Sequence, residues 1–424
     1  MNEKNNINPT GLFICGICAF FYLYEFFLRT IIGTFQLPII HDLNLSSFKF
    51  SFLSTTAYMI TYGFMQIPVV FIVKRFGLKK SLFTGAIFCS IACLCFSSAT
   101  NYYTAVLFRF FMGFGSSFGF ICLLIAIYDW MPLKYNGLFI GISQFIGIMG
   151  PFIAAEPIHY LTKSNDLNWR VVFFSLGLIG FVLTTMVITF VKNNHEKIEK
   201  YIILKRHESI RTNIKNIFSR RQPWIIAIFC ACSYFAIEYL SENEGISFLV
   251  SKGFSSNFSA SMISLSWLAY AIGCPLLGLI SDLTERRKPV LVFAAFCSII
   301  SLLFIIYSGT SSIIFIGFIL LGFGASGQSV GFAAIANQFK KQSITIGYGI
   351  NNALITSLVA INSPCIGFFL DLVKKDDMPS LIEYKIVFSS LILVAFIATI
   401  FALFFVEESF CKSKVDFVFL KTKF

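Results

Sequence analysis

The sequence predicts an all-α membrane protein of twelve transmembrane helices, and three observations support this. The first is composition: of 424 residues, 57% are hydrophobic and 13% are charged, whereas soluble domains have roughly 45–50% apolar and about 25% charged residues. The second is a series of long apolar runs, and the third is an internal repeat between the two halves. This composition excludes a soluble enzyme, a secreted scaffold and a receptor with a single membrane anchor.

The apolar runs give the predicted spans. A hydrocarbon core about 30 Å thick requires about 20 helical residues per span, so twelve spans would use roughly 240 residues. Irregular backbone cannot face lipid, and each run should therefore be a helix. The runs cover residues 12–35, 51–73, 81–99, 103–127, 137–157, 171–191, 224–241, 258–280, 289–308, 312–335, 346–370 and 386–406.

A hydrophilic segment divides the runs into six and six. It holds nine Lys or Arg residues and three Glu residues. We therefore predict an N-terminal six-helix bundle, a linker, a C-terminal six-helix bundle and a tail, covering residues 1–191, 192–222, 223–406 and 407–424.

The positive charges predict the orientation. With an even number of spans, both termini and the linker lie on one side of the membrane. Roughly 24 of the 33 Lys and Arg residues fall on that side and roughly 7 on the other, which places the termini in the cytoplasm. The net charge of +12 lies in the loops between apolar runs, so we expect no nucleic acid as a partner.

Two motifs occur in both halves. Residues 113–117 have the sequence Gly-Phe-Gly-Ser-Ser and residues 322–326 have Gly-Phe-Gly-Ala-Ser, and a basic loop follows the second and the eighth run. A repeat of six spans keeps the same orientation in both copies. We therefore predict two six-helix bundles related by a pseudo-two-fold axis along the membrane normal.

The basic loops resemble the signature loop of the major facilitator superfamily, and the resemblance covers essentially the whole chain. In that family the loop contains a carboxylate that can latch onto a helix terminus or a basic partner. Lys74 replaces this aspartate in the first copy, so we expect the role to shift toward Asp282. The residues that match the loop are Arg75, Gly77 and Lys79 in the first copy and Gly278, Asp282 and Arg286 in the second.

Two further stretches carry the resemblance. Arg109, Gly113 and Gly115 match the family's Arg-x-x-x-Gly-x-Gly pattern in the fourth helix. An arginine inside a span costs roughly 2.5–3.5 kcal/mol, so Arg109 needs the cavity or an acidic partner. Residues 22–29, Tyr-Leu-Tyr-Glu-Phe-Phe-Leu-Arg, resemble a bacterial branch that includes phagosomal nutrient transporters of intracellular pathogens.

The ionisable residues of the first run are the leading functional candidates. Glu25 and Arg29 are four residues apart on one helical face with Tyr22, where they can pair. The pair either lines a central cavity and handles substrate or protons, or only fixes the helix. Glu242 and Glu244 are expected at a solvated mouth. The expected pathway residues are Tyr22, Glu25, Arg29, Arg109, Gln144, Glu238, Gln328, Asn351 and Asn352.

The resemblance implies a secondary active transporter that imports a small polar nutrient, such as an amino acid, by proton-coupled rocking of the two halves. The alternatives are a drug or siderophore/proton antiporter, favoured by Gly150-Pro151, and a receptor without flux. The sequence has no phosphate-binding G-x-x-x-x-G-K-[ST] loop, which excludes ATP drive within the chain. We expect no enzyme activity, cofactor or metal site, and a monomer in a bacterial inner membrane whose partners are solute, protons and lipid.

Overall fold

The computed structural model describes residues 8–131, 136–164, 168–193, 220–339, 344–376 and 378–411. In this part of the chain, twelve helices are long and apolar enough to cross a membrane. We label these spans α1 (Pro9–Thr34), α2 (Ser47–Val73), α3 (Leu78–Ser97), α4 (Tyr102–Trp130), α5 (Phe139–Thr162), α6 (Trp169–Phe190), α7 (Arg221–Glu242), α8 (Ser256–Leu283), α9 (Lys288–Tyr307), α10 (Ser311–Ala336), α11 (Gly347–Val373) and α12 (Leu381–Phe405).

Several helices extend beyond their spans or change geometry within them. The helix that contains α5 runs over Asn136–Ser164, and the helix of α11 runs over Ile344–Val373. Short helices occupy Gln36–Leu43 and Gly245–Ser251. The composite spans are α2, built from Ser47–Ser51, a π-helical segment Phe52–Thr56 and Ala57–Phe76; α4, built from Tyr102–Ser116 and Phe118–Trp130; and α12, built from Leu381–Ile400 and a π-helical segment Phe401–Phe405.

The predicted fold class is confirmed: the described chain is helical and contains one span for each predicted run. The largest difference in bounds is in α5, whose helix passes through Pro151 and Pro157 and ends at Ser164 instead of 157. Proline is tolerated inside membrane helices because neighbouring groups can satisfy the freed backbone carbonyls. The periodic apolar pattern therefore ends before the helix does.

The distribution of side chains is inverted relative to a soluble protein. Arg109 and Glu238 are fully buried, whereas Phe64 and Phe404 are 77% and 74% exposed. Large exposed aromatic side chains on these helices are in keeping with a surface that contacts lipid, and the buried charges must find partners inside.

Successive spans run in opposite directions, so the start of α1 and the end of α12 lie at one face of the molecule. We call this the terminal face and the other the far face. Odd-numbered spans begin at the terminal face and end at the far face. Most of the predicted linker, residues 194–219, and the end of the tail, residues 412–424, lie outside the described residues.

The repeated glycine motif packs in the same way in both halves. A Cβ atom on Gly113 of α4 would lie 2.2 Å from the backbone oxygen of Tyr58 on α2. A Cβ on Gly322 of α10 would lie 2.3 Å from the backbone oxygen of Ser266 on α8. A Cβ atom on the second glycine of each motif would come equally close to atoms of the next helix, α3 in the first half and α9 in the second. Small residues at such positions let membrane helices approach each other backbone to backbone.

Helix starts are fixed by side chains that the sequence places directly before them. Each accepts a hydrogen bond from a backbone N–H of the first turn, which would otherwise be unpaired. At α12, Ser380 and Glu383 form a full capping box. The other capping residues are Asn8 for α1, Ser46 for α2, Asn101 for α4, Asn168 for α6 and Ser255 for α8.

The glycine packing gives a stability prediction. Gly113→Ala and Gly322→Ala should each destabilise the protein by about 1–3 kcal/mol, because the new methyl group meets a backbone oxygen that cannot rotate away. Gly278→Ala is the matched control, since a Cβ there has nothing within 4 Å. The measurement is the melting temperature of the detergent-purified protein. Equal melting temperatures for all three variants would contradict the prediction.

Candidate functional site

Arg29 forms an ion pair between the two halves of the molecule. Its Nε atom donates to Glu238 Oε2 at 2.8 Å and to Glu242 Oε1 at 3.1 Å, and its Nη2 atom also contacts Glu238. All three side chains are nine-tenths or more buried. The two glutamates face α1 together because they are four residues apart on α7. Among the described residues, these glutamates are the ion-pair partners of Arg29, in place of the expected Glu25.

Glu25 lies one turn from Arg29 and has a different partner. Its side chain is 1% exposed. The Tyr58 hydroxyl, from α2, lies 3.2 Å from Glu25 Oε2 and 3.0 Å from the Glu25 backbone oxygen. On the other side, a Cβ on Gly119 of α4 would lie 2.9 Å from Glu25 Cγ. Glu25 is therefore enclosed by the first half, with a neutral hydroxyl as its recorded side-chain partner.

Aromatic rings surround the Arg29 guanidinium. Its Cζ atom is 4.8 Å from the centroid of Phe26, 5.9 Å from Tyr62 and 6.0 Å from Tyr234. Such contacts contribute about 0.5–1 kcal/mol each at exposed sites and about 2 kcal/mol when desolvated. The rings come from α1, α2 and α7, so they reinforce the junction that the ion pair makes. The sequence motifs did not identify Tyr62 or Tyr234.

Arg109 is held by backbone oxygen atoms. Its guanidinium donates to the carbonyls of Leu28 (2.9 Å) and Arg29 (3.3 Å) on α1, and to those of Leu53 (3.4 Å) and Ser54 on α2. The α2 carbonyls belong to the π-helical segment, whose i→i+5 pattern is rare and disturbs the regular hydrogen-bond ladder. Sequence reasoning expected a cavity or an acidic partner, but these carbonyls supply the hydrogen bonds instead.

Two tyrosine–glutamine pairs involve tyrosines near the middle of α1 and α8. The Tyr22 hydroxyl of α1 donates to Gln144 Oε1 of α5 at 3.1 Å. The Tyr270 hydroxyl of α8 donates to Gln328 Oε1 of α10 at 2.8 Å. Each pair joins two helices of the same half. Three of these residues were predicted pathway residues, and Tyr270 was not.

The asparagine pair lies close to the terminal-face end of α11. Asn352 Nδ2 donates to Gln66 Oε1 of α2 at 2.9 Å, which joins the two halves. The neighbouring Asn351 is fully buried, and neither of its side-chain polar atoms has a hydrogen-bond partner in the described structure.

At the far face, α2 contacts both α7 and α11. Ser54 donates to Asn243 Oδ1 at 2.6 Å, and Asn243 Nδ2 donates to Thr55 at 3.0 Å. Asp371 of α11 accepts from the backbone N–H groups that open α2, at 3.0 and 2.8 Å. We call these contacts, together with the Arg29 ion pair, the far-face gate. It consists of Arg29, Ser47, Phe48, Ser54, Thr55, Glu238, Glu242, Asn243 and Asp371.

A second set of contacts joins α5 to α8 near the same face. Ser264 donates to the Phe152 carbonyl at 2.9 Å and accepts from the Glu156 backbone N–H at 2.8 Å. Ser261 donates to the Glu156 carboxylate at 2.6 Å. The two halves are thus joined on both sides of the Arg29 ion pair, and the structure is closed at the far face.

A cavity of about 450 Å³ lies outside this closure, at the far face. It is lined by the end of α1 and the loop after it, the end of α5, the starts of α6 and α8, and the short helix Gly245–Ser251. Its polar lining residues are Thr34, Gln36, Asp42, His159, Thr162, Asn168, Ser247 and Ser256.

The first predicted latch loop makes its recorded contacts within its own half. Gly77 has φ +84°, a left-handed conformation that favours glycine, and it ends the helix of α2. The backbone N–H of Lys79 donates to Asn193 Oδ1 at 3.0 Å, just after α6. Arg75 is exposed and lies over the Phe76 ring at 5.4 Å.

In the second loop, the partner of Asp282 is Arg287, at 2.6 Å, while Arg286 is exposed. The backbone N–H groups of Arg287 and Lys288, which open α9, donate to Glu408 at 2.9 and 3.0 Å. Burial raises the pKa of Glu408, but these backbone N–H groups outweigh it and hold that pKa below its usual range. The sequence did not identify Arg287, because residues 286–288 are three basic side chains that could each pair with Asp282. It did not identify Glu408, because that residue is more than 100 positions away along the chain.

The gate also depends on close backbone packing of α1 against α7. A Cβ on Gly33 would lie 1.9 Å from the Ser241 backbone oxygen. Gly33→Leu should therefore hold the far-face gate open, whereas Gly16→Leu on the same helix should not, because a Cβ there meets nothing within 4 Å. Spin labels at exposed Lys49 and Asp376 report the gate distance in a background without native cysteines. An unchanged distance in Gly33→Leu would refute this packing role.

The sequence matches one protein family and several curated relatives. The model of the Major Facilitator Superfamily matches residues 15–250 and 246–418. Among curated relatives, the chain is 24% identical to the transporter YybO of Bacillus subtilis over 40% of the chain and 42% of that protein. It is 23% identical to the probable sulfoacetate transporter SauU of Cupriavidus necator over 65% of each chain. The matches thus span less than two thirds of these relatives.

Two solved structures share the fold. A bacterial homolog of the human lysosomal transporter Spinster, in an inward-facing and occupied conformation, gives a TM-score of 0.72 at 15% identity over 94% of this chain and 97% of that chain. A D-xylose-proton symporter gives 0.73 at 15% identity over 94% and 99%. Twelve spans, a two-fold repeat and a family model covering nearly the whole sequence lead to one conclusion: the chain belongs to the Major Facilitator Superfamily of membrane transporters.

Proposed function

We propose that this transporter imports a small polar nutrient, an amino acid or a similar metabolite, by proton-coupled alternating access. In this proposal the terminal face is cytoplasmic, and the structure is closed toward the outside. The observation that carries the proposal is the environment of Glu25, a buried carboxyl group whose neighbouring arginine is engaged by the other half of the molecule.

Glu25 and the two gate glutamates compete for the guanidinium of Arg29. While Glu238 and Glu242 hold Arg29, Glu25 has a neutral tyrosine hydroxyl as its partner. An ionised carboxylate without a compensating charge is costly in a buried site, so the closed gate favours a proton on Glu25. When α7 moves away, Arg29 loses both partners, and Glu25 is the acid four residues away on its own helix. Pairing with Arg29 then favours release of the proton.

This competition couples proton binding to gate closure. A ligand shifts a conformational equilibrium only through its different affinities for the two states, and here the proton prefers the closed gate. A proton taken up from outside promotes closure. Loss of that proton toward the cytoplasm restores the Glu25 carboxylate, which attracts Arg29 and weakens the gate. Each cycle would carry one proton inward with the solute.

Neutral polar side chains on the spans support a small polar solute. Tyr22, Gln144, Gln328 and Asn352 offer neutral hydrogen-bond donors and acceptors. The described acids and arginines of the far-face gate are occupied by one another or by backbone groups. The relative SauU is named a probable sulfoacetate transporter, so organic anions belong in the test panel beside amino acids.

The first test is uptake into proteoliposomes. Labelled amino acids and sulfoacetate are supplied one at a time, with and without an imposed pH gradient, acidic outside. Glu25→Gln should lose gradient-driven accumulation by at least tenfold but keep solute exchange, because glutamine preserves shape and cannot release a proton. Glu285→Gln, exposed in the loop before α9, is the control. Concentrative uptake by Glu25→Gln in response to the gradient would remove Glu25 from the proton pathway.

The second test concerns orientation. Single cysteines replace Gly309, exposed between α9 and α10, and Thr284, exposed between α8 and α9. An impermeant maleimide should label Gly309→Cys in intact cells and Thr284→Cys only after permeabilisation. The opposite pattern would place the termini outside the cell, and the direction of transport would have to be reversed.

A further inference from the structure

A second buried carboxyl group, Glu244, lies beside the far-face gate and takes no part in the Arg29 ion pair. It follows Asn243 at the end of α7, and its backbone oxygen accepts from the Phe248 N–H at 2.8 Å to start the short helix Gly245–Ser251. Its side chain is 1% exposed. Neither carboxyl oxygen has a hydrogen-bond partner among the described residues.

The surroundings of Glu244 contain further polar atoms without partners. The hydroxyls of Ser51, Tyr239 and Tyr384 are buried and also lack hydrogen-bond partners in the described chain. The two tyrosine rings pack against Phe388, at 5.7 and 5.4 Å between centroids. These groups come from α2, α7 and α12, and they provide hydroxyls and apolar rings but no cation.

The charged groups that act on Glu244 lie at the end of α11 and directly after it. Asp371 accepts from two backbone N–H groups of α2 and pairs with Lys374 at 3.0 Å. Lys374 is therefore already engaged, and Asp371 adds negative charge. A carboxylate at Glu244 would be buried without a dedicated counter-charge, which is strongly unfavourable.

We propose that Glu244 binds a proton from the outer solution each time the far-face gate closes and returns it to the same side when the gate opens. The gate thereby senses the pH of the outer compartment. Glu244 lies on the far side of the Arg29 ion pair, so its proton is not carried across the membrane. This role is separate from that of Glu25 and goes beyond the proposed transport function.

The direction of the pH effect follows from the titration of Glu244. Burial raises the pKa of Glu244 from its usual 4.5 to about 8; the nearby Ser47 hydroxyl and Lys374 lower it, and Asp371 raises it. With the gate open, the carboxyl group meets water and titrates near its usual value. The proton therefore favours the closed gate fully below about pH 4.5. This contribution declines above that value and is lost as the pH rises through about 8.

The experiment measures the gate itself, without solute or gradient. Spin labels at Lys49→Cys and Asp376→Cys, in a background without native cysteines, give the distance distribution between pH 5 and pH 9. The wild-type gate should open as the pH rises, with the closed fraction falling severalfold. Because Glu25 also binds its proton in the closed gate, the comparison is repeated in a Glu25→Gln background. There the gate should still open as the pH rises, and adding Glu244→Gln should keep it closed throughout, because glutamine remains neutral. Glu285→Gln, on the terminal face, should behave like wild type.

Glu244→Asp provides a second variant if Glu244→Gln does not fold. It keeps a titrating group and should retain the pH response with a shifted midpoint. A pH-independent wild-type gate, or a full pH response in Glu244→Gln, would overturn the proposal. Gate closure that follows sodium concentration at constant pH would also overturn it, in favour of a metal cation. Failure of Glu25→Gln in the uptake test would leave this measurement unaffected.

Discussion

The ion pair of Arg29 with Glu238 and Glu242 is the interaction on which the rest of the structure depends. It lies between the two halves, in an interior where charges are weakly screened. Separating the halves without replacement partners would leave buried charges uncompensated, at a cost of about 3–5 kcal/mol. The ion pair therefore has two favourable arrangements. In one the charged groups contact each other across the two halves, and in the other each is solvated by water. Intermediate separations of the two halves are disfavoured. That property makes a buried ion pair suitable for a gate.

Bilayer physics explains how much of the fold the sequence predicts. Membrane thickness sets the length of each apolar run, so counting runs gives the spans. The repeat was visible because Gly113 and Gly322 must both remain glycine where two helices touch. Ends of spans were harder to predict. The helix of α12 begins before its predicted run, because Ser380 and Glu383 cap a first turn that contains polar residues. The pattern of apolar residues does not reveal this cap.

The choice of charge partners was not predictable in the same way. Periodicity places Glu25 and Arg29 on one face, and this was sufficient to select both as candidates. It could not show that Glu238, more than 200 residues away in sequence, competes for the same guanidinium. The sequence also suggested that Glu242 and Glu244 are solvated, since they end an apolar run. They are buried because the short helix Gly245–Ser251 and the start of α2 cover that end of α7.

The two buried arginines differ in what they would lose when the gate opens. Arg109 donates to carbonyl oxygens of α1 and α2 within its own half, and Tyr58 packs under its guanidinium at 4.8 Å. Rigid movement of the halves leaves all of those contacts in place. Arg29 loses both carboxylate partners in the same movement, although Arg109 still holds its backbone. We infer that Arg109 fixes the position from which the Arg29 side chain switches. Arg109 thereby keeps Glu25, Arg29 and the π-helical segment together as one unit. A change in the protonation of Glu25 then alters the contacts of Arg29 at the gate, because the backbone around Glu25 cannot rearrange locally to compensate.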